Sequence, residues 1–257
     1  MPVSDTVARD DTDAEGDRLP INELFASLQG EGKLAGVPST FVRTSGCNLR
    51  CWFCDSFHTS WEPTHAWLSL DEIVAEVESR SPDHVVVTGG EPLVHDETDA
   101  LLSALADDYH LTVETNGTLE TDAPVDLASV SPKLASSTPT PDNAPADVDS
   151  GVWTERHEDA RVDLDALASL VEHAAEFQLK FVVTGRDDLD EIESLVADVR
   201  GVTDREVRDS DVLLMPEGQT REQLARTRTE VADLAAAFGY RYTPRLHVDL
   251  WNDAPET

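Results

Sequence analysis

The residues of this sequence best placed to do chemistry are its cysteines. Cys47, Cys51 and Cys54 form a C-x-x-x-C-x-x-C run, and the 257-residue chain contains no other cysteine. A free thiol is often buried as a small hydrophobe, but that role gives no reason for every cysteine to fall in one turn. The odd count and the expected lack of a secretory signal disfavour a disulfide framework. Two metal chemistries remain. A tetrahedral zinc site needs a fourth ligand, which His58 could supply. An iron–sulfur cubane takes four thiolates as a rule, so three would leave one iron open to a chelating ligand.

The elements that must hold this loop can be read from periodicity. Apolar, β-branched runs predict strands at Ser39–Arg43, His84–Thr88, Leu111–Glu114, Leu127–Val130, Leu179–Val183, Val212–Met215 and near Arg241–Leu246. Helical spacing marks Leu70–Glu78, Glu97–Asp107, Leu164–Ala175, Asp188–Val199 and Arg221–Phe238. Ser69 with Glu72, and Thr220 with Gln223, have the spacing of capping boxes, and Gly239 suits a helix stop. Buried strands alternating with amphipathic helices predict an α/β fold of parallel βα units. Six or seven strands are too few for a closed eight-stranded barrel, so a partial, open barrel is expected. Function in such folds sits beyond the carboxyl ends of the strands. That rule places Thr44–Cys54, Thr88–Pro92, Thr115–Gly117, Ser131–Lys133, Thr184–Gly185 and Pro216–Gly218 on one face. Residues 1–18, acidic and poor in apolar side chains, are expected to form a disordered arm before a single domain over 19–257. Residues 134–159, with Pro139, Pro141 and Pro145 among small and acidic residues, read as a long surface loop inserted in that domain.

Charge narrows the classes of partner. Nineteen Lys and Arg stand against 52 Asp and Glu, a formal net charge of −33. Direct binding to a nucleic-acid backbone is excluded by repulsion. No run of 18 apolar residues is present, so no membrane span is expected. Of the basic residues only Lys33, Lys133 and Lys180 are lysines. An acidic, lysine-poor chain with 40% hydrophobic residues suits a salt-rich cytoplasm, where salt screens the repulsion. Lys33 and Lys180 are expected on the surface.

The C-x3-C-x2-C spacing, with Phe53 before the last cysteine and a predicted strand at Phe41–Arg43 before the first, resembles the cluster loop of the radical S-adenosylmethionine (SAM) superfamily. Thr88-Gly89-Gly90-Glu91-Pro92 resembles its GGEP motif, and Val113-Glu114-Thr115-Asn116-Gly117 is typical of it. A more specific set runs in order from Ile21 to Trp251. It comprises Ser27-Leu28-Gln29-Gly30-Glu31-Gly32, Phe41-Val42-Arg43, Cys54-Asp55-Ser56, Ser131-Pro132-Lys133, Met215-Pro216-Glu217-Gly218 and Arg245-Leu246-His247-x-x-x-Trp251. This set resembles the 7-carboxy-7-deazaguanine synthase family.

The resemblance implies a partial (β/α)6 barrel and a 4Fe-4S cluster on Cys47, Cys51 and Cys54, with SAM chelating the open iron. Reductive cleavage of SAM would give a 5′-deoxyadenosyl radical. The implied reaction is that of a carbon–nitrogen lyase: ring contraction of 6-carboxy-5,6,7,8-tetrahydropterin to 7-carboxy-7-deazaguanine with loss of ammonia. It lies on the route to 7-cyano-7-deazaguanine and the deazaguanine bases of tRNA. By the same resemblance Leu28, Gln29, Gly30, Arg43, Thr88 and His247 would meet the pterin. Gly90, Glu91, Glu114, Asn116, Ser131, Pro132, Lys133, Met215, Pro216, Glu217 and Gly218 would hold SAM. Ser56, where the family usually has threonine, would ligate Mg2+ through a hard hydroxyl oxygen. No catalytic side chain is implied beyond cluster and SAM. An external one-electron reductant and a homodimer are also implied.

Each assignment has an ordinary alternative. Arg43 offers a bidentate fork to a carboxylate, or is half of an ion pair. Gln29 matches a pterin edge, or is a turn residue. Two other functions compete. A radical-SAM activating enzyme acting on a protein partner would share the cysteines and GGEP but has no need for the Gln-Gly-Glu-Gly or closing His-Trp segments. A non-catalytic zinc module would use Cys47, Cys51, Cys54 and His58.

The charge carries a direct expectation. The Debye length is about 30 Å at 0.01 M salt and about 3 Å at 1 M, so the thermal midpoint followed by circular dichroism should climb steeply across that range. A midpoint that ignores salt would mean the acidic residues do not oppose folding.

Overall fold

The computed structural model describes residues 17–145, 150–252 and 254. Among these residues nine strands form one sheet. Strand β1 (Arg18–Leu28) pairs antiparallel with β2 (Pro38–Thr44) on one side and β3 (Ala66–Ser69) on the other. Beyond β2 every pairing is parallel: β4 (His84–Gly89), β5 (His110–Thr115), β6 (Leu127–Val130), β7 (Glu176–Val183), β8 (Val212–Pro216) and the two-residue β9 (Arg241–Tyr242). The order β3-β1-β2-β4-β5-β6-β7-β8-β9 puts the parallel strands side by side in chain order. Among the described residues β3 and β9 are unpaired edges, so the sheet is open and does not close into a barrel.

The helices are α1 (Phe57–Ser60), α2 (Leu70–Glu78), α3 (Glu97–Leu105), α4 (Ser150–Ala160), α5 (Leu164–His173), α6 (Leu189–Val202), α7 (Arg221–Phe238) and α8 (Leu246–Trp251). Both expected capping boxes form, at Ser69 with Glu72 and Thr220 with Gln223. Gly239 ends α7 in the left-handed conformation. Helix α6 buries Leu189, Ile192, Leu195, Val196 and Val199, the stripe that helical spacing requires. These residues join Val85, Val87, Val113, Leu179 and Leu214 of the parallel strands in the main core. Covered on both faces, such strands read as continuous apolar runs, which is why they were legible.

The structure departs from the expectations at several points. Strand β1 leaves no alternating pattern in the sequence because Pro20, Asn22 and Glu23 interrupt it, and its pairing with β2 is irregular between Ile21 and Glu23. Strand β3 is only four residues long. The last strand stops at Tyr242, and Leu246 opens α8 instead. The segment 134–159 is not a surface loop throughout: it holds a 3-10 turn at Ala135–Ser137 and most of α4, with Ser137, Ser150 and His157 buried. Its inner side carries polar groups rather than an apolar stripe, so periodicity is blind to it. The expected arm falls on residues 1–16, outside the described ones, and on Asp17 and Arg18, of which Arg18 already belongs to β1.

The ends of β2 and β4 approach closely at a glycine. Gly89 has φ +135°, and a Cβ there would lie 2.0 Å from the Thr44 carbonyl oxygen. Gly89→Ala should therefore lower unfolding free energy by at least about 1–3 kcal/mol from backbone strain alone. Denaturant titration checks this; a shift within error would mean that the two strand ends can part freely.

Candidate active site

A cavity of about 640 Å³ opens among the carboxyl ends of the parallel strands. Arg43 of β2 lines it, as do Cys47, Cys51, Cys54 and Ser56 from the following loop. Thr88 and Gly90 enter from the end of β4, Glu114 and Asn116 from β5 and just beyond it. Ser131 and Lys133 follow β6, Met215 lies on β8 and His247 on α8. Leu28, Gln29 and Gly30 line it from the other end of the sheet, because β1 runs antiparallel and its connection to β2 folds back across towards β7. Glu91, Pro132, Pro216, Glu217 and Gly218 do not line the cavity, nor do Thr184 and Gly185. Thr184 instead turns to Asp188, to whose carboxylate both its N–H (2.7 Å) and its hydroxyl (2.9 Å) donate.

The least expected feature is a buried ionic ladder. Lys180, in the middle of β7, is 3% exposed and donates to Glu31 Oε2 (2.7 Å) and Glu114 Oε2 (2.8 Å). Arg245 is equally buried. Its Nε pairs with Glu31 Oε1 (3.1 Å), its Nη1 donates to the Gly218 carbonyl (2.9 Å), and its Nη2 pairs with Asp55. Gln29 Nε2 and Ser129 Oγ donate to the Glu114 carboxylate (3.2 and 2.9 Å). Burial alone would raise the Glu31 carboxyl, but Lys180 and Arg245 outweigh it and hold it far below the usual range. Burial likewise opposes the charge on Lys180, and its two carboxylates override it and push its pKa up. Lys33 is anchored too, to the Phe177 carbonyl (2.6 Å) and Asp211 Oδ1 (3.1 Å). The surface placement expected for Lys33 and Lys180 is corrected. A lysine flanked by Leu179 and Phe181 in an apolar run was the available signal. Glu31 and Arg245 lie within the Gln-Gly-Glu-Gly and Arg-Leu-His segments, to which the resemblance gives them no role.

The cysteine loop is pinned from several sides. The Gly46 N–H donates to the Thr59 carbonyl (2.7 Å), and the Glu91 N–H to the Gly46 carbonyl (2.8 Å). A Cβ on Gly90 would lie 2.0 Å from that same carbonyl oxygen, so only glycine lets β4 abut the loop. The Glu91 carboxylate turns inward, accepting from Leu93 N (3.1 Å), Thr115 Oγ1 (2.9 Å) and Asn116 N (2.6 Å). Asn116 Nδ2 in turn donates to Asn48 Oδ1 (2.9 Å), beside Cys47. Gln219 Nε2 reaches the Phe53 and Cys54 carbonyls (3.2 and 3.3 Å).

All three thiols are free and half-buried. Burial, with Glu91 adding, pushes the Cys47 thiol up to about 12. Burial pushes Cys51 up to about 12 as well, against the pull of Lys133. Such thiols stay protonated until a metal displaces the proton. Among the described residues no three His, Cys, Asp or Glu side chains converge on a point that would hold a single ion. Three thiols spread around one loop and facing a large cavity suit the separate corners of a cubane.

Arg43 keeps both of its expected roles open. Its Nε lies 2.9 Å from Glu23 Oε2, its Nη1 donates to Ser56 Oγ (3.0 Å), and its side chain faces the cavity. Lys133 donates to Ser131 Oγ (2.9 Å) and makes no ion pair among the described residues.

Comparison with known proteins places this geometry. The profile of the Radical SAM superfamily matches residues 41–132, from β2 through the Ser131-Pro132 pair. Over the full length of both chains the sequence is 62% identical to a 7-carboxy-7-deazaguanine synthase of Halobacterium salinarum. The chain belongs to the 7-carboxy-7-deazaguanine synthase family. Relatives of that name from Rhodopirellula baltica (38% identical, 93% of this chain and 88% of that one) and Pyrobaculum aerophilum (34%, 92% and 96%) agree. The crystal structure of QueE from Escherichia coli superposes with a TM-score of 0.62 at 27% identity, over 90% of this chain and 95% of that one. Radical SAM membership implies a 4Fe-4S cluster and SAM. The Halobacterium relative agrees with a composition suited to high salt. Among the described residues no helix is long and apolar enough to cross a membrane.

The ladder yields a test. Lys180→Met leaves the half-buried Glu114 without a cation and Glu31 with Arg245 alone, which should remove up to about 3–5 kcal/mol of stability at neutral pH. The folded-state pKa of Glu31 is depressed, so its contribution is full above the ordinary carboxylate pKa of about 4 and is lost as pH falls below it. The parent and variant should therefore converge on acidification. Denaturation at a series of pH values decides it; a constant gap would mean that only packing was lost.

Proposed function

We propose that this chain is a 7-carboxy-7-deazaguanine synthase, contracting 6-carboxy-5,6,7,8-tetrahydropterin to 7-carboxy-7-deazaguanine with release of ammonia. The observation that carries the reading is one cavity that joins the three-cysteine loop to a polar wall of Gln29, Glu31, Glu114, Arg43 and His247. Cys47, Cys51 and Cys54 hold the cluster in this proposal. When bound, cluster and SAM supply a radical able to abstract hydrogen.

The chain's own residues do the rest by binding and orientation. Lys133, a cation without an ion pair among the described residues, faces the cavity beside Cys51 and suits the carboxylate of SAM. The Gly90 backbone and Ser131 line the same end. Across the cavity the Glu114 and Gln29 side chains present acceptors and an amide to the N–H-rich edge of a pterin, with Lys180 fixing the Glu114 carboxylate. Burial holds the His247 pKa below its ordinary value, so at neutral pH the ring is uncharged and offers both a donor and an acceptor. Arg43, steadied by Glu23, is positioned to take the substrate carboxylate. Ser56 is the Mg2+ ligand in this reading; its hydroxyl now accepts from Arg43, so a metal there would compete with that bond. An external one-electron reductant, a homodimer and a cytoplasmic location complete the proposal.

The test is anaerobic reconstitution followed by turnover of the carboxytetrahydropterin. Iron and sulfide should be taken up together, and 7-carboxy-7-deazaguanine should form. Arg43→Met should raise KM about tenfold to a hundredfold, the loss of a charge-assisted bond worth about 1.5–3 kcal/mol. Cluster content and uncoupled 5′-deoxyadenosine formation should be unchanged. A variant with the parent's KM would make Arg43 an ion-pair partner only, and one zinc without sulfide in the parent would refute the enzyme reading.

A further inference from the structure

The segment that carries α4 has no part in the proposed reaction, yet it grips the cysteine loop between its first two thiols. His157 is fully buried. Its Nδ1 accepts from the Arg50 backbone N–H (3.2 Å), so the ring proton sits on Nε2. Nε2 therefore donates to Ser137 Oγ (2.8 Å), and the Ser137 hydroxyl donates onward to the Leu134 carbonyl (2.6 Å). The chain of donors runs in one direction and satisfies both nitrogens. Two residues further on, the Trp52 backbone N–H donates to the Ser137 carbonyl (3.1 Å) and its indole to the Ser136 carbonyl (2.8 Å). The Arg50 guanidinium closes the far side. It lies 4.2 Å over the Trp153 ring of α4 while donating to the Cys47 and Leu49 carbonyls (2.7 and 2.8 Å).

We infer that the turn at residues 134–138 and helix α4 (Ser150–Ala160) form a clasp that positions the cluster loop, with His157 as its central positioning residue. The inference rests on the reading of Cys47, Cys51 and Cys54 as cluster ligands. Outer partners fix the direction of a metal ligand, and their loss commonly weakens a metal site about 10–100-fold. Here the partner fixes the backbone from which Cys47 and Cys51 project, so His157 acts through the loop and touches no reacting atom.

The experiment uses the full chain, anaerobically reconstituted, with iron release to an external chelator and the electron paramagnetic resonance of the reduced cluster, with and without SAM, as readouts. His157→Ala should release iron about tenfold faster and alter the resonance line shape. His157→Asn, which keeps an acceptor near Arg50 N–H, should recover most of the parent's behaviour. His84→Ala is the control. His84 is as well buried and hydrogen-bonded, to Ser39 Oγ (2.7 Å) and Thr112 Oγ1 (2.8 Å), but at the far end of β4. It should leave iron release near the parent rate. His157→Ala with the parent's rate and signal would overturn the clasp, as would His84→Ala speeding release equally, since that would make the effect one of general stability. A parent that takes up no iron and sulfide would overturn the cluster reading and the clasp together.

Discussion

Two buried cations, Lys180 and Arg245, have to be paired inside an open sheet, and much of the architecture around the cavity follows from that constraint. Glu114, Lys180, Glu31, Arg245 and Asp55 form a continuous chain of contacts. They come from β5, β7, the β1–β2 connection, the start of α8 and the cysteine loop. A buried charge without a partner is strongly destabilising, so β7 cannot move away without leaving Glu114 unpaired, nor the start of α8 without leaving Asp55 unpaired. The interior of a closed barrel is filled by layers of branched apolar side chains. Here one such layer is replaced by paired charges, which hold each other at the wall and leave a polar cavity beside the thiols.

The motif residues divide between lining the cavity and building it. Gly89 and Gly90 permit contacts to the Thr44 and Gly46 carbonyls that no side chain would tolerate. Glu91 spends its carboxylate on Leu93, Thr115 and Asn116 and so staples the end of β4 to that of β5. Glu217 ties the end of β8 to β7 through its N–H, which donates to the Val183 carbonyl (3.0 Å), and Gly218 serves through the carbonyl that Arg245 binds. A glutamate after two glycines is thus a structural tie here, and the cavity it helps form is lined by its neighbours.

The chain also carries two populations of charge that answer differently to salt. The exposed carboxylates that dominate the net charge of −33 repel one another through solvent, where ions screen them. Lys180 and Arg245, the cations of the ladder, are buried, and buried pairs are screened far less. High salt can therefore relieve the surface without dissolving the interior pairs. Arginine suits the exposed pairs through its fixed fork, while two of the three lysines occupy sites where several acceptors surround one point charge.

Six parallel strands from β2 to β8, helices α2, α3, α5, α6 and α7, the cysteine loop and part of the cavity lining were legible in the sequence. Apolar runs and helical spacing are local, and the ordered motifs mark the strand ends. Strands β1 and β3, helices α1, α4 and α8, and the roles of Lys180, Glu31 and Arg245 were decided only by the tertiary structure. Arg245 meets Glu31 across 214 positions, and Lys180 meets Glu31 and Glu114 across 149 and 66. A buried polar group is recognisable only by its partner. Hydrophobic burial leaves a periodic trace along the chain, whereas pairing between charges this far apart leaves none until the strands bring them together.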